Sequence, residues 1–206
     1  MEPKLIILDL DGTVRQCIEH KASCHNQSGK WEIIPGTQKV LKLYDWTEVG
    51  IGFATNQAPI ALKQTTAAAV EHEIQLTIKA LFPEWPMTTV IDEKLTDTLY
   101  SMHHERRRMP ERGPVFRYSP FAPDASSYAR KPSPWMILDI VREYGERLDR
   151  TLYVGDSPED RESAMRAGVD FIWAWEFFGR PRVEPNTVKA HVSFKPTKQD
   201  WTRLAK

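Results

Sequence analysis

Two cysteines in 206 residues, Cys17 and Cys24, cannot form a disulfide framework, which excludes the stapled secreted scaffolds and points to thiols in a reducing compartment. Neither sign of charge is in surplus. Lys plus Arg equals Asp plus Glu at 28 each, so no global field draws the chain to nucleic acid or to an anionic membrane. No apolar run approaches the length of a spanning helix, and no internal repeat or low-complexity segment is present. The opening "MEPKLIILD" has an acid near its start and too short an apolar run for a signal peptide. A cytoplasmic protein without a membrane partner is therefore expected. What remains is ordinary globular material: 41% hydrophobic content is ample for one domain over residues 1–206.

Short apolar runs alternate with longer stretches of helical period, the pattern of an α/β domain whose sheet is mostly parallel. The runs are "KLIILD" (4–9), "VGIGFAT" (49–55), "TLYVGD" (151–156) and "DFIWAW" (170–175), with weaker candidates "TVI" (89–91) and "TLYSM" (98–102). Helices are expected over Thr37–Asp45, Ile60–Leu81, Pro134–Tyr144 and Pro158–Ala167, the last stopped by Gly168. The proline-punctuated stretch from Arg106 to Lys131 reads as an extended loop or small hairpin, and residues 103–130 as an insert near the site. The tail from Arg180 onward is expected to wrap the surface, with a last short strand near "HVSF".

"LIILDLDGTV" (5–14) runs four aliphatics into two acids one residue apart. Asp9 and Asp11 repel at roughly 4 kcal/mol for about 4 Å and an effective dielectric of about 20, so something must offset them. In a parallel sheet, ligands gather outside the carboxyl ends of the strands. Two further runs end in polar signatures there: Thr55, Asn56 and Gln57 in one, Gly155 and Asp156 in the other, with Asp160 four residues on. Arg130 and Lys131 stand just ahead of a helix. A divalent cation among the acids answers the repulsion, and hard oxygen ligands suit Mg²⁺. Gly12 and Thr13 would let backbone N–H groups approach phosphoryl oxygens, and Lys131 would neutralise the remaining phosphoryl charge.

These residues resemble the haloacid dehalogenase superfamily of phosphohydrolases. Its four motifs are matched in order by "DLDGT" (9–13), "ATNQ" (54–57), "RKPSP" (130–134) and "GDSPED" (155–160). "TNQ" followed by "RKPSPWM" is similar to the histidinol-phosphate and heptose-bisphosphate phosphatase branch; polynucleotide 3′-phosphatases carry comparable motifs. The resemblance implies a Rossmann-like sheet with helices on both faces. It also implies a Mg²⁺-dependent phosphomonoesterase in which Asp9 is the nucleophile and Asp11, held protonated by its charged neighbour, is the acid and base. Thr55 and Asn56 would bind the phosphoryl group, with Gln57 beside them, and Lys131 would balance charge. Asp9, the Asp11 carbonyl and Asp156 would hold the metal, with Asp160 as an alternate ligand, and Arg130 would hold the distal part of the substrate. The 43 residues between Asp11 and Thr55 leave little room for a large cap domain, so an open site is expected.

The chain departs from the branch at its zinc loop, where "SMHH" (101–104) and "SYARKP" (127–132) put Ser101, Ser127 and Ala129 in place of thiolates, and no zinc is expected there. Cys17, His20, Cys24 and His25 fall within nine residues but match no trusted zinc spacing. Arg106, Arg107, Arg108, Arg112 and Arg117, with Phe116 and Tyr118, read first as a solvated face. Overhanging the site, they would serve a second phosphate or a nucleic-acid backbone. The aromatics from Phe171 to Phe178 read as sheet packing. Three functions stay open: a phosphatase of a small metabolite such as a sugar phosphate or histidinol phosphate, a nucleic-acid-end phosphatase, and an idle binding protein on the same scaffold.

Overall fold

The computed structural model describes residues 2–19, 29–85, 114–121 and 128–181. Strand β1 (Leu5–Leu8) is at the centre of a five-stranded parallel sheet, flanked by β4 (Gly50–Asn56) and β6 (Thr151–Gly155), with β5 (Val115–Ser119) and β7 (Asp170–Trp173) at the edges. All four residues of β1 are fully buried, as a central parallel strand covered on both faces requires. On one face Ile6, Leu8, Ile51, Phe53 and Val154 pack with Val70, Ile74, Ile78 and Leu81 of α2 (Ala67–Leu81) and with Leu41 of α1 (Thr37–Leu41). On the other, Leu5, Ile7, Ala54 and Tyr153 meet Met136, Ile137 and Ile140 of α3 (Trp135–Tyr144) and Ala164 and Ala167 of α4 (Pro158–Ala167). The expected doubly covered parallel sheet is what the chain forms.

Between β1 and β4 a two-stranded antiparallel ribbon, β2 (Arg15–Cys17) with β3 (Trp31–Ile33), precedes α1. Three-residue strands this polar carry too little alternation to be read from sequence. Other boundaries shift for local reasons. Helix α2 starts at Ala67 instead of Ile60 because Lys63 is left-handed (φ 56°) and Thr66, extended, caps the helix by accepting from Ala69 N–H. Helix α1 stops at Leu41, and Asp45 then takes the Thr47 N–H and hydroxyl instead of prolonging it. The run "DFIWAW" leaves the sheet after Trp173, where Ala174–Phe177 (α5) turns as a single helical turn.

The proline-punctuated stretch contains strand β5 between Pro114 and Pro120, parallel to β4. Arg117 in its middle hid it. That arginine is no part of a solvated face: it is buried, and its guanidinium meets Asp139 at 2.6 Å and Glu143 at 2.5 Å, both on α3. Arg106, Arg107, Arg108 and Arg112, the runs 89–91 and 98–102, "SMHH", Ser127, the Cys24, His20 and His25 group, and the strand near "HVSF" lie outside the described residues.

Candidate active site

The register of the sheet puts Asp9, Thr55 and Asp156 at one edge, because each follows or ends a strand pairing in parallel with its neighbour. Lys131 reaches the same place from the loop before α3. Its Nζ, in a fully buried position, lies 2.7 Å from Asp9 Oδ1, 2.7 Å from Asp160 Oδ1, 3.1 Å from the Ala54 carbonyl and 3.2 Å from the Tyr153 hydroxyl. Burial opposes its charge, but Asp160 and Asp9 outweigh that and hold the ammonium well above its usual range. Tyr153, read from sequence only as an apolar strand residue, is thus part of the site: its hydroxyl also lies 2.8 Å from Asp160 Oδ1.

Asp160 owes its place to the start of α4. Ser157 accepts from Asp160 N–H, while Asp160 Oδ2 accepts from the Ser157 N–H and hydroxyl, a reciprocal cap. One oxygen of Asp160 therefore caps the helix and the other holds Lys131 and Tyr153. Asp9, Asp156 and Asp160 offer carboxylate oxygens within 4.8 Å of one another. Gly12, at φ 89°, carries the turn past Asp156 so closely that a Cβ there would sit 2.0 Å from Asp156 Oδ2.

Asp11 has its own cation, which the sequence reading missed. Arg15 Nε donates to Asp11 Oδ1 at 2.7 Å and Nη2 to Oδ2 at 3.3 Å, while Gln57 Nε2 donates to Oδ2 at 2.8 Å and to Thr55 Oγ1 at 3.1 Å. The charged neighbour expected beside Asp11 is joined by another: among the described residues the Arg15 guanidinium bonds to both of its oxygens. Its only sequence signal was an arginine four residues beyond Asp11, across a turn closed by the Gly12 N–H to Arg15 carbonyl bond.

The Asn56 and Gln57 amides expected at the phosphoryl group bond in this structure to the chain's own groups. Asn56 accepts from Lys131 N–H at 3.0 Å and donates to the Lys131 carbonyl at 3.3 Å, pinning the loop that carries the lysine. Gln57 is buried and engaged with Asp11 and Thr55. Thr13 is buried with its hydroxyl unpartnered, and Arg180 donates to its carbonyl at 2.9 Å. Arg130 donates to the Phe121 carbonyl at 3.1 Å and faces Glu159.

Among the described residues two cations, Lys131 and Arg15, thus stand among four carboxyl groups, Asp9, Asp11, Asp156 and Asp160. Burial first, and neighbouring carboxylates next, push Asp9 up to about 7 despite Lys131, and Asp156 up to about 8. A divalent cation has the charge to offset these carboxyl groups, and an all-oxygen donor set suits magnesium.

Comparisons with known proteins agree with this geometry. Residues 124–174 match the family described as haloacid dehalogenase-like hydrolase. A D-glycero-beta-D-manno-heptose-1,7-bisphosphate 7-phosphatase of Bordetella bronchiseptica is 30% identical over 168 residues, 80% of this chain and 76% of that protein. One from Pseudomonas putida is 27% identical over 81% of this chain and 79% of its own length. Among solved structures, the D,D-heptose 1,7-bisphosphate phosphatase of B. bronchiseptica, complexed with magnesium and phosphate, aligns with a TM-score of 0.58 at 26% identity, covering 82% of this chain and 78% of that one.

Proposed function

Because this chain belongs to the haloacid dehalogenase-like hydrolases, and is a phosphoric monoester hydrolase, we propose that it is a Mg²⁺-dependent phosphatase of a small sugar phosphate of the heptose-bisphosphate kind, working through an aspartyl-phosphate on Asp9. The observation that carries this reading is the Lys131 ammonium bridging Asp9 and Asp160 at 2.7 Å each, beside Asp156, in a site where carboxyl groups outnumber cations among the described residues. Asp9, Asp156 and the Asp11 carbonyl would hold magnesium, which supplies positive charge to the carboxylates and to the phosphoryl oxygens.

The chain's own residues do the rest. An Asp9 carboxylate oxygen attacks phosphorus, the bond to the ester oxygen breaks, and that oxygen takes a proton from Asp11. Water then attacks the aspartyl-phosphate and gives a proton back to Asp11, so ester and water become alcohol and phosphate. Lys131 keeps Asp9 oriented and balances charge as the phosphoryl group arrives. Asn56 contributes by holding the Lys131 backbone.

Phosphate release from D-glycero-D-manno-heptose 1,7-bisphosphate, histidinol phosphate and a 3′-phosphorylated DNA oligonucleotide, each with Mg²⁺ and with chelator, tests the reading. Turnover of the heptose ester that chelator abolishes is expected. Equal rates with chelator, or turnover of DNA alone, contradict it.

A further inference from the structure

Arg15 is buried to 3% exposure, yet the mechanism so far gives it no task. Four of its five N–H groups are engaged. Nε and Nη2 fork onto the two Asp11 oxygens at 2.7 and 3.3 Å, and Nη1 donates to Thr77 Oγ1 at 2.9 Å and to the Glu73 carbonyl at 3.3 Å, both on α2. The Trp31 ring of β3 stands 5.7 Å from the guanidinium carbon, and the Trp31 indole N–H donates to the Glu73 carboxylate. The backbone adds a bridge between Asp11 and Arg15. A guanidinium held at once from the turn after β1, from helix α2 and from the ribbon is a fixed post. A cation nearby would be enough to counter the charge of Asp11; a planar fork bonded to both of its oxygens sets orientation as well.

We infer that Arg15, with Gln57 as its second arm, is the positioning residue that aims the Asp11 carboxyl at the ester oxygen and at the attacking water. This rests on the proposed phosphatase reading. In the first step the ester oxygen takes the Asp11 proton as its bond to phosphorus breaks; in the second, Asp11 takes a proton from water. A misaimed Asp11 slows the first step in proportion to how much the leaving oxygen needs that proton. A sugar alkoxide needs it, and a nitrophenolate departs without it.

The test compares kcat/KM, which reports phosphoryl transfer to the enzyme, for heptose 1,7-bisphosphate and p-nitrophenyl phosphate in the wild type, Arg15→Lys and Arg15→Met. For Arg15→Met a loss of at least about tenfold, part of the roughly 10²- to 10⁴-fold that general acid catalysis supplies, is expected on the sugar ester, through kcat with KM nearly unchanged. The aryl ester should lose far less. Arg15→Lys, which keeps the charge but not the fork, should fall between. Should Arg15→Met fail to fold by its melting profile, Thr77→Val, which removes only the Nη1 anchor, should show a smaller divergence in the same direction. Equal losses on both esters, or none on either, overturn the role of Arg15 alone. A wild-type protein that releases phosphate from neither ester overturns the phosphatase reading beneath it.

Discussion

Among single residues, Gly12 makes the sharpest demand. A methyl group there would overlap Asp156 Oδ2 at 2.0 Å, and the backbone sits at φ 89°, so neither position yields cheaply. Gly12→Ala should abolish measurable Mg²⁺ binding by calorimetry, and turnover with it, while the far-ultraviolet circular dichroism stays that of the wild type. Asn56→Ala releases the Lys131 peptide and should lower kcat about 10- to 100-fold, the scale of a misplaced catalytic group. Asp9, Asp11, Asp156, Asp160 and Lys131 were legible because each stands just past an apolar run or ahead of a helix, where topology alone brings them together. Arg15 and Tyr153 were not: a guanidinium in a three-residue polar strand and a hydroxyl within an apolar one declare their partners only through long-range packing. Asn56 and Gln57 were located, but their amides serve Lys131 and Asp11.

At the level of elements, helix α4 links folding to chemistry, because its cap is also the carboxylate that holds Lys131. Ser157→Ala should cost about 1 kcal/mol of stability, the usual worth of such a cap, and should lower kcat as well, since Asp160 Oδ2 loses the Ser157 hydroxyl as a donor and the Asp160 N–H loses its acceptor. Urea titration and initial rates on the same protein separate the two effects. Strand β5 depends on a different pairing. Arg117→Met leaves the buried Asp139 carboxylate paired with Arg142, whose side chain is mostly exposed, and should destabilise the fold by about 3 kcal/mol, the low end for breaking a buried pair, with little effect on rates while the protein stays folded. Helix α4 was read to its full span because Ser-Pro opens it and Gly168, at φ 75°, closes it. The β2–β3 ribbon and β5 were missed for lack of apolar length, and α2 was begun too early because a left-handed Lys63 has no signature in composition.

For the molecule as a whole, the burial of Asp9 and Asp156 among neighbouring carboxyl groups ties stability to pH. Asp9 and Asp156 have their pKa raised from 3.8 to about 7 and about 8, so across that window the native chain holds more protons than the unfolded one. Stability of the metal-free protein should therefore fall as pH rises through that window. Mg²⁺ competes with those protons, so its gain in melting temperature should be larger near pH 8 than near pH 5.5; thermal melts with Mg²⁺ and with chelator at both pH values check it. The central claim is that Asp9 becomes covalently phosphorylated. Acid quench of the protein during turnover of a ³²P-labelled sugar phosphate with Mg²⁺ tests this most directly. Label should precipitate with the wild type and be absent from a folded Asp9→Asn variant that no longer turns over. Phosphate release by Asp9→Asn at the wild-type rate would contradict the account.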